Sequence, residues 1–220
     1  MLKFDAHCHL KAKDYAQGII CTSTIAEWQE LPQIKPPSIA SAGFLPDRSG
    51  CFPDISLFGK ALEDHPMWQI GEVGLDARFP NLEGQAAFFR QVLETAHAYD
   101  RLVSIHMVRE DSLALSLLDG SARTLWHGFT GSVETARSAF RKGCIVSLGP
   151  RTVQSRLWSR LDELDVPFLL ETDSQDERQP ETIERMYRLC SLRLHITMEQ
   201  LQERIDEGRT ICADHSSARA

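Results

Sequence analysis

The chain has 220 residues, 42% of them apolar and 25% charged, and a net charge of −7. Such a composition belongs to a globular protein with room for one sizeable core, and the acidic balance excludes broad wrapping of nucleic acid, which needs basic surface. No apolar run approaches the roughly 20 residues that span a bilayer, and Met1-Leu2-Lys3-Phe4-Asp5 lacks the apolar centre of a secretory signal, so a cytoplasmic protein is expected.

Eight short apolar runs follow one another along the chain: Leu2 to His7, Gly18 to Ser23, Ser38 to Leu45, Met67 to Asp76, Leu102 to Met107, Leu125 to Phe129, Cys144 to Gly149 and Pro167 to Asp173. Helix-period stretches separate most of them. Asp54 to His65 precedes the fourth run. Glu83 to Asp100 is the clearest helix, with Ala87, Phe88, Val92, Leu93 and Ala96 near 3.6 spacing. Ser132 to Lys142 is closed by Gly143, Gln154 to Leu164 precedes the last run, and Glu181 to Leu194 and Thr197 to Asp206 follow it. Lys11 to Gln17 is too short for a full helix, and Gln33 to Pro37 reads as a loop. This succession predicts α/β architecture as one closed parallel sheet, a (β/α)8 TIM barrel over residues 1–220, with the tail frayed from about residue 208. An open doubly wound sheet is the alternative. The six cysteines form no Cys-x-x-Cys pair and read as reduced, mostly buried thiols.

Active sites of such barrels lie at the C-terminal ends of the strands, and polar residues gather there. Run one ends in His7-Cys8-His9. Alternation along a strand puts both histidines on one face and Cys8 on the other. Run four carries Glu72, run five ends at His106, run six carries His127 and run eight ends at Asp173. An ionisable group within an apolar strand is unfavourable unless it is paired or binds metal. Four histidines and two carboxylates at one rim suit two divalent cations sharing a bridging carboxylate, about 3.5–4 Å apart. The residues alone therefore predict a metal-assisted hydrolase and leave its substrate open. Arg109 and Arg151, just past runs five and seven, could each grip a phosphate or be surface residues. Asp76 could orient a ligand histidine or cap a helix. Trp126 and Phe129 read as core. His65, His97, His195 and His215 lie away from the strand ends and read as structural or solvent-facing.

The segments Asp5-Ala6-His7-Cys8-His9-Leu10, Gly71-Glu72-Val73-Gly74-Leu75-Asp76, Ser104-Ile105-His106, His127-Gly128-Phe129-Thr130-Gly131 and Glu171-Thr172-Asp173 occur in this order. With them the chain resembles the TatD family of metal-dependent deoxyribonucleases, within the amidohydrolase superfamily, from Leu2 to about Asp206. The resemblance implies one cation held by His7, His9, Glu72 and Asp173 and a second held by Glu72, His106 and His127, with Glu72 bridging. It implies that Asp173 orients or deprotonates the attacking water. It also implies 3′→5′ exonuclease action on DNA, on single strands or ends, with Mg²⁺, Mn²⁺ or Zn²⁺.

The chain departs from the family pattern in places. Gly43-Phe44-Leu45-Pro46 stands where the family carries Gly-x-His-Pro near its substrate, Arg109 comes one place late, and the loop after Asp173 is short. These departures bear on the substrate rather than the metals. Hydrolysis of a small amide, lactone or phosphate ester on the same barrel is therefore a second expectation, and a metal-stabilised barrel without enzymatic activity is a third.

Overall fold

The apolar runs become eight parallel strands, each placed beside the next by the helix or turn between them. The computed structural model describes residues 3–12, 17–175 and 182–213. The strands are β1 (Asp5–His9), β2 (Gly18–Cys21), β3 (Ile39–Phe44), β4 (Gln69–Asp76), β5 (Val103–Val108), β6 (Thr124–Trp126), β7 (Cys144–Leu148) and β8 (Phe168–Leu170). They lie in chain order in one sheet, and every neighbouring pair is parallel. The sheet curls until its ends meet. Past β8, Asp173 N–H donates to the His7 carbonyl (3.0 Å) and His9 N–H to the Ser174 carbonyl (3.0 Å). The Thr172 hydroxyl and N–H both donate to the buried Asp5 carboxylate, at 2.6 and 3.0 Å. The result is a nearly closed barrel of the (β/α)8 type.

The helices are α1 (Ser56–Asp64), α2 (Leu82–Tyr99), α3 (Asp111–Leu117), α4 (Val133–Phe140), α5 (Pro150–Val153), α6 (Arg156–Ser159), α7 (Ile183–Leu194) and α8 (Met198–Ala213). In α2 the 3.6-residue pattern buries Phe88, Phe89, Val92, Leu93 and Ala96 against the sheet. Each of the larger apolar side chains contributes about 1.5–3 kcal/mol by leaving water. Asn81 caps this helix, its side-chain oxygen accepting from Gly84 N–H at 3.0 Å. Between barrel and helices, Trp126 and Phe129 are buried edge to face, as their place in the pattern predicts.

Two stretches differ from the sequence expectation. Gln154 to Leu164 is not one helix but α6 preceded by α5 and followed by a 3-10 turn, Leu161–Glu163. Serine hydroxyls bond the carbonyls three residues back, Ser155 to Thr152 and Ser159 to Arg156, both at 2.8 Å. Such local bonds compete with helix propagation. Helix α8 continues to Ala213, beyond both Asp206 and the expected fraying point near 208. It is held down where Gly208 lies against β8; a Cβ there would sit 3.0 Å from the Phe168 carbonyl oxygen. The rest of the tail lies outside the described residues. Between β2 and β3 runs a 3-10 segment, Ile25–Gln33, whose start is tied by Glu27 accepting from the N–H groups of Ser23 and Thr24.

All six cysteines are free thiols and four of them are buried; Cys8 points outward to the Ile19 carbonyl, away from the histidines beside it. Among the described residues, no helix is long and apolar enough to cross a membrane. A cavity of about 640 Å³ opens at the N-terminal end of the barrel. The donor groups described next lie at the other end.

Candidate metal centre

Five strand ends bring the six expected side chains into contact. Strand β1 presents His7 and His9 inward, as its alternation requires. Strand β4 presents Glu72, which is 2% exposed. Next to it Gly74, at φ +154°, lets β4 and β5 approach so closely that a Cβ would lie 2.0 Å from the His106 carbonyl oxygen. This packing sets Glu72 beside His106. His127 follows β6 directly, and Asp173 follows β8 with φ +50°.

The Glu72 carboxylate divides the cluster. Its Oε1 lies 2.5 Å from His106 Nδ1 and 2.6 Å from His127 Nε2, and those two nitrogens are 3.3 Å apart. Its Oε2 lies 3.5 Å from His9 Nε2 and 3.7 Å from His7 Nε2. Asp173 Oδ1 completes that second group, 3.3 Å from His9 Nε2 and 4.0 Å from His7 Nε2. His7 stacks on His127 at 3.8 Å and joins the two groups.

Three of the four histidines have a neighbour that orients the ring. His7 Nδ1 pairs with the Ser104 hydroxyl at 2.9 Å, which leaves Nε2 facing the cluster. His106 Nε2 donates to Asp76 Oδ2 at 3.2 Å, so Asp76 orients a histidine; its Oδ1 also accepts from Arg78 N–H at the following turn. His127 Nδ1 lies 3.7 Å from Glu171 Oε1. Glu171 is itself held by Gly128 N–H at 2.7 Å and by the Ser147 hydroxyl. Such carboxylate and hydroxyl supports fix the tautomer of a ligating histidine and raise its basicity.

The electrostatics follow from burial and mutual charge. Burial opposes ionisation of Glu72, but His127 and His106 outweigh it and hold the carboxyl well below its usual range. Asp173 is lowered likewise: burial opposes ionisation, and the nearby His9 and the charge of His7 prevail. Burial also opposes the cationic form of His127, but Glu72 and Glu171 raise it well above the ordinary value. His7 goes the other way, kept neutral by burial and by the charge of His127. Asp5, behind β1, is raised by burial to about 7, against the pull of its bonds to Thr172.

These residues suit divalent cations. Facing the cluster, His7 Nε2, His9 Nε2 and Asp173 Oδ1 are buried without a hydrogen-bond partner among the described residues. Orphaned buried polar atoms are unfavourable unless something else satisfies them. Three triads, His7/His9/Glu72, His7/His127/Asp173 and Glu72/His106/His127, each have ligand atoms within 4.8 Å of one another. Neutral imidazoles mixed with carboxylates are the donors of zinc and of other divalent transition metals.

A profile of the family described as TatD-related DNase matches residues 4–208. The chain belongs to the TatD-related DNase family. An uncharacterized metal-dependent hydrolase of Methanocaldococcus jannaschii is 25% identical over 113 residues, covering 50% of this chain and 45% of the relative. That match therefore spans just under half of the relative's length. A TatD homologue of Escherichia coli K12 superposes with TM-score 0.78 at 21% identity, covering 96% of this chain and 97% of its own. A TatD-family hydrolase of Entamoeba histolytica gives 0.74 at 14% identity, covering 96% and 98%. At these identities the structures testify to the shared fold.

Around the cluster lies a cleft of about 450 Å³, walled by Leu45, Pro46, Arg78, Phe79, Arg151 and Gln175. Leu45 stands where the TatD pattern has its substrate-side histidine, and it presents an apolar face. Arg151 reaches the site, with Nη2 3.1 Å from Asp173 Oδ2. Arg109 does not: it is exposed, turned by φ +64°, and lines no wall of this cleft. Arg78 takes a place there that the sequence did not single out. Of the histidines set aside, His65 stacks on Trp68, His97 pairs with the Ser121 carbonyl and His195 caps α7. His215 lies outside the described residues. Glu171 and Ser104 also went unremarked, although each shares strand parity with a proposed ligand, Asp173 and His106 respectively. That parity was the available signal.

Proposed function

We propose that this TatD-family hydrolase cleaves phosphodiester bonds of DNA, at single strands or ends, using two divalent cations. One cation would be held by His7, His9, Glu72 and Asp173, the other by Glu72, His106 and His127, with Mg²⁺, Mn²⁺ or Zn²⁺ as candidates. When bound, such cations lower the pKa of a water and offset the charge that builds on the phosphate. The observation that carries the reading is the Glu72 carboxylate, which turns one oxygen to each of two donor groups at the mouth of the barrel.

The chain's own residues supply the rest. Asp173 accepts a hydrogen bond from the attacking water and aligns it. Its depressed pKa suits this aligning role better than lasting storage of a proton. Arg151 fixes the Asp173 carboxylate from the far side. Glu72 stays ionised within a buried setting, so its charge is available without rearrangement.

The test is a metal titration with end-labelled single-stranded oligonucleotide. Shortening from the 3′ end that requires Mn²⁺, Mg²⁺ or Zn²⁺ is the expected result. A protein that leaves oligonucleotides intact under all three metals, while hydrolysing a small ester, amide or lactone from a parallel panel, would overturn it. That second reading is favoured by one feature, the apolar Leu45 in the wall of a cleft of only about 450 Å³.

A further inference from the structure

The cleft holds two guanidinium groups, and among the described residues no other lysine or arginine lines it: Arg78 after β4 and Arg151 after β7. Both side chains are about half exposed, 52% and 53%. Each is nevertheless tethered to a carboxylate next to the donor cluster. Arg78 Nε lies 2.9 Å from Asp76 Oδ1 and its Nη2 lies 2.5 Å from Oδ2. Asp76 is buried and holds His106 with the same Oδ2. Arg151 Nη2 lies 3.1 Å from Asp173 Oδ2.

An arginine side chain loses rotamer freedom when it is fixed. Here the tethers have already fixed both heads, so an arriving anion need not order them. The tethers also leave donors over. A guanidinium has five N–H groups. Arg78 Nη1, and Arg151 Nε and Nη1, make no hydrogen bond among the described residues. Together with the second N–H of Nη2, each head keeps one edge in the fork geometry that takes two phosphate oxygens at once. The setting also demands local positive charge: the chain carries −7 overall, and Glu72, Asp76, Glu171 and Asp173 surround the site. Among the described residues that line the cleft, this arginine pair supplies the guanidinium charge that would add to the attraction of bound cations for an approaching phosphate.

The geometry points to Arg78 and Arg151 as a paired grip for a substrate phosphate beside the bond that is cut, with Arg78 the residue that selects phosphorylated over neutral substrates. This rests on the hydrolytic reading of the cleft given above. It assigns to Arg78 the role that its position in the sequence suggested for Arg109.

The competing role for Arg78 is purely supportive, neutralising Asp76 so that Asp76 can hold His106. Binding measurements separate the two. The Mn²⁺-loaded wild type, Arg78→Gln, Arg78→Lys and Arg151→Gln are titrated calorimetrically with thymidine 5′-monophosphate and with thymidine. Bound manganese and thermal unfolding are measured on the same samples. Loss of one charge-assisted bidentate contact weakens monophosphate affinity by about ten- to a hundredfold. That loss is expected in Arg78→Gln and Arg151→Gln, with thymidine affinity and bound manganese unchanged, and Arg78→Lys should fall between. With oligonucleotide as substrate, KM should rise more than kcat falls. Unchanged monophosphate affinity in Arg78→Gln overturns the proposal, as does a loss accompanied by loss of manganese. If the wild type shortens no oligonucleotide yet Arg78→Gln still loses monophosphate affinity alone, the nuclease reading fails and the grip stands.

Discussion

The half of the site built on β1 and β8 and the half built on β5 and β6 use the same residue types but space them differently. In the first, the distances from His7 and His9 to Glu72 and Asp173 run from 3.3 to 4.0 Å. Ligands on a tetrahedral zinc, with bonds of about 2.0–2.1 Å, lie roughly 3.3–3.5 Å apart. This half is therefore already near the spacing of a coordination shell, and three of its atoms are orphaned. In the second, Glu72 Oε1 meets His106 and His127 at 2.5 and 2.6 Å, the distances of charge-assisted hydrogen bonds. His106 meets a carboxylate at each ring nitrogen, which suits an imidazolium, and its pKa is raised even though burial opposes this. The difference teaches that a proton would compete with a cation most strongly in the β5/β6 half, where His106 and His127 are both raised, whereas in the β1/β8 half His9 is raised but His7 is held neutral. Cations should fill the β1/β8 half first.

The largest effect should come from the residue both halves share. Glu72→Gln should lower turnover by about 10³-fold or more, since several kcal/mol of charge stabilisation are lost. Elemental analysis should find cations gone from both halves, with circular dichroism unchanged. Single-half variants come next. His106→Ala should abolish turnover yet retain one cation per folded chain, whereas His9→Ala should lose the first-filled cation. Equal cation loss in the two would break the comparison.

A smaller effect is expected behind the β5/β6 histidines. Asp76→Asn or Glu171→Gln should weaken the second cation by about 10- to 100-fold, the usual consequence of removing a carboxylate that supports a ligand histidine, and leave the first unchanged. Two-step calorimetric binding curves would show which step moves.

The smallest effect is in the pH dependence of the metal-free protein. His127 is raised well above 6.5, so its contribution to stability is full below that value and lost as pH rises through its folded value. Glu72 and Asp173 are lowered, so theirs is present above the usual carboxylate range and lost on acidification. His7, held neutral, adds stability as pH rises toward its unfolded value near 6.5 and little above it, so it opposes His127 only at the acidic edge. Thermal stability without metal should therefore decline modestly as pH rises above about 6.5. With Mn²⁺ the slope should reverse near neutrality, because cations need deprotonated histidines. The same slope with and without metal would contradict the proton–cation competition.

Much of this arrangement was legible in the sequence because it rests on period and position. All eight strands lie on the predicted apolar runs, and strand ends such as His7-Cys8-His9 fix both depth and facing. What escaped depends on side-chain bonds and backbone turns that leave no apolar period. Arg78 is two residues past Asp76 and looks like any turn residue until β4 brings it to the cleft. Arg109 follows its strand as plausibly, but a left-handed backbone turns it away. The break in Gln154 to Leu164 comes from serine hydroxyls bonding carbonyls, and no apolar period records that choice.

The central claim, that six side chains from five strands hold two cations across one carboxylate, is tested most directly by anomalous diffraction from crystals soaked in Mn²⁺. The account predicts two peaks, one on each side of the Glu72 carboxylate, with the peak beside His7, His9 and Asp173 the stronger at limiting metal. No peak at the mouth of the barrel, or manganese bound away from Glu72, would contradict it.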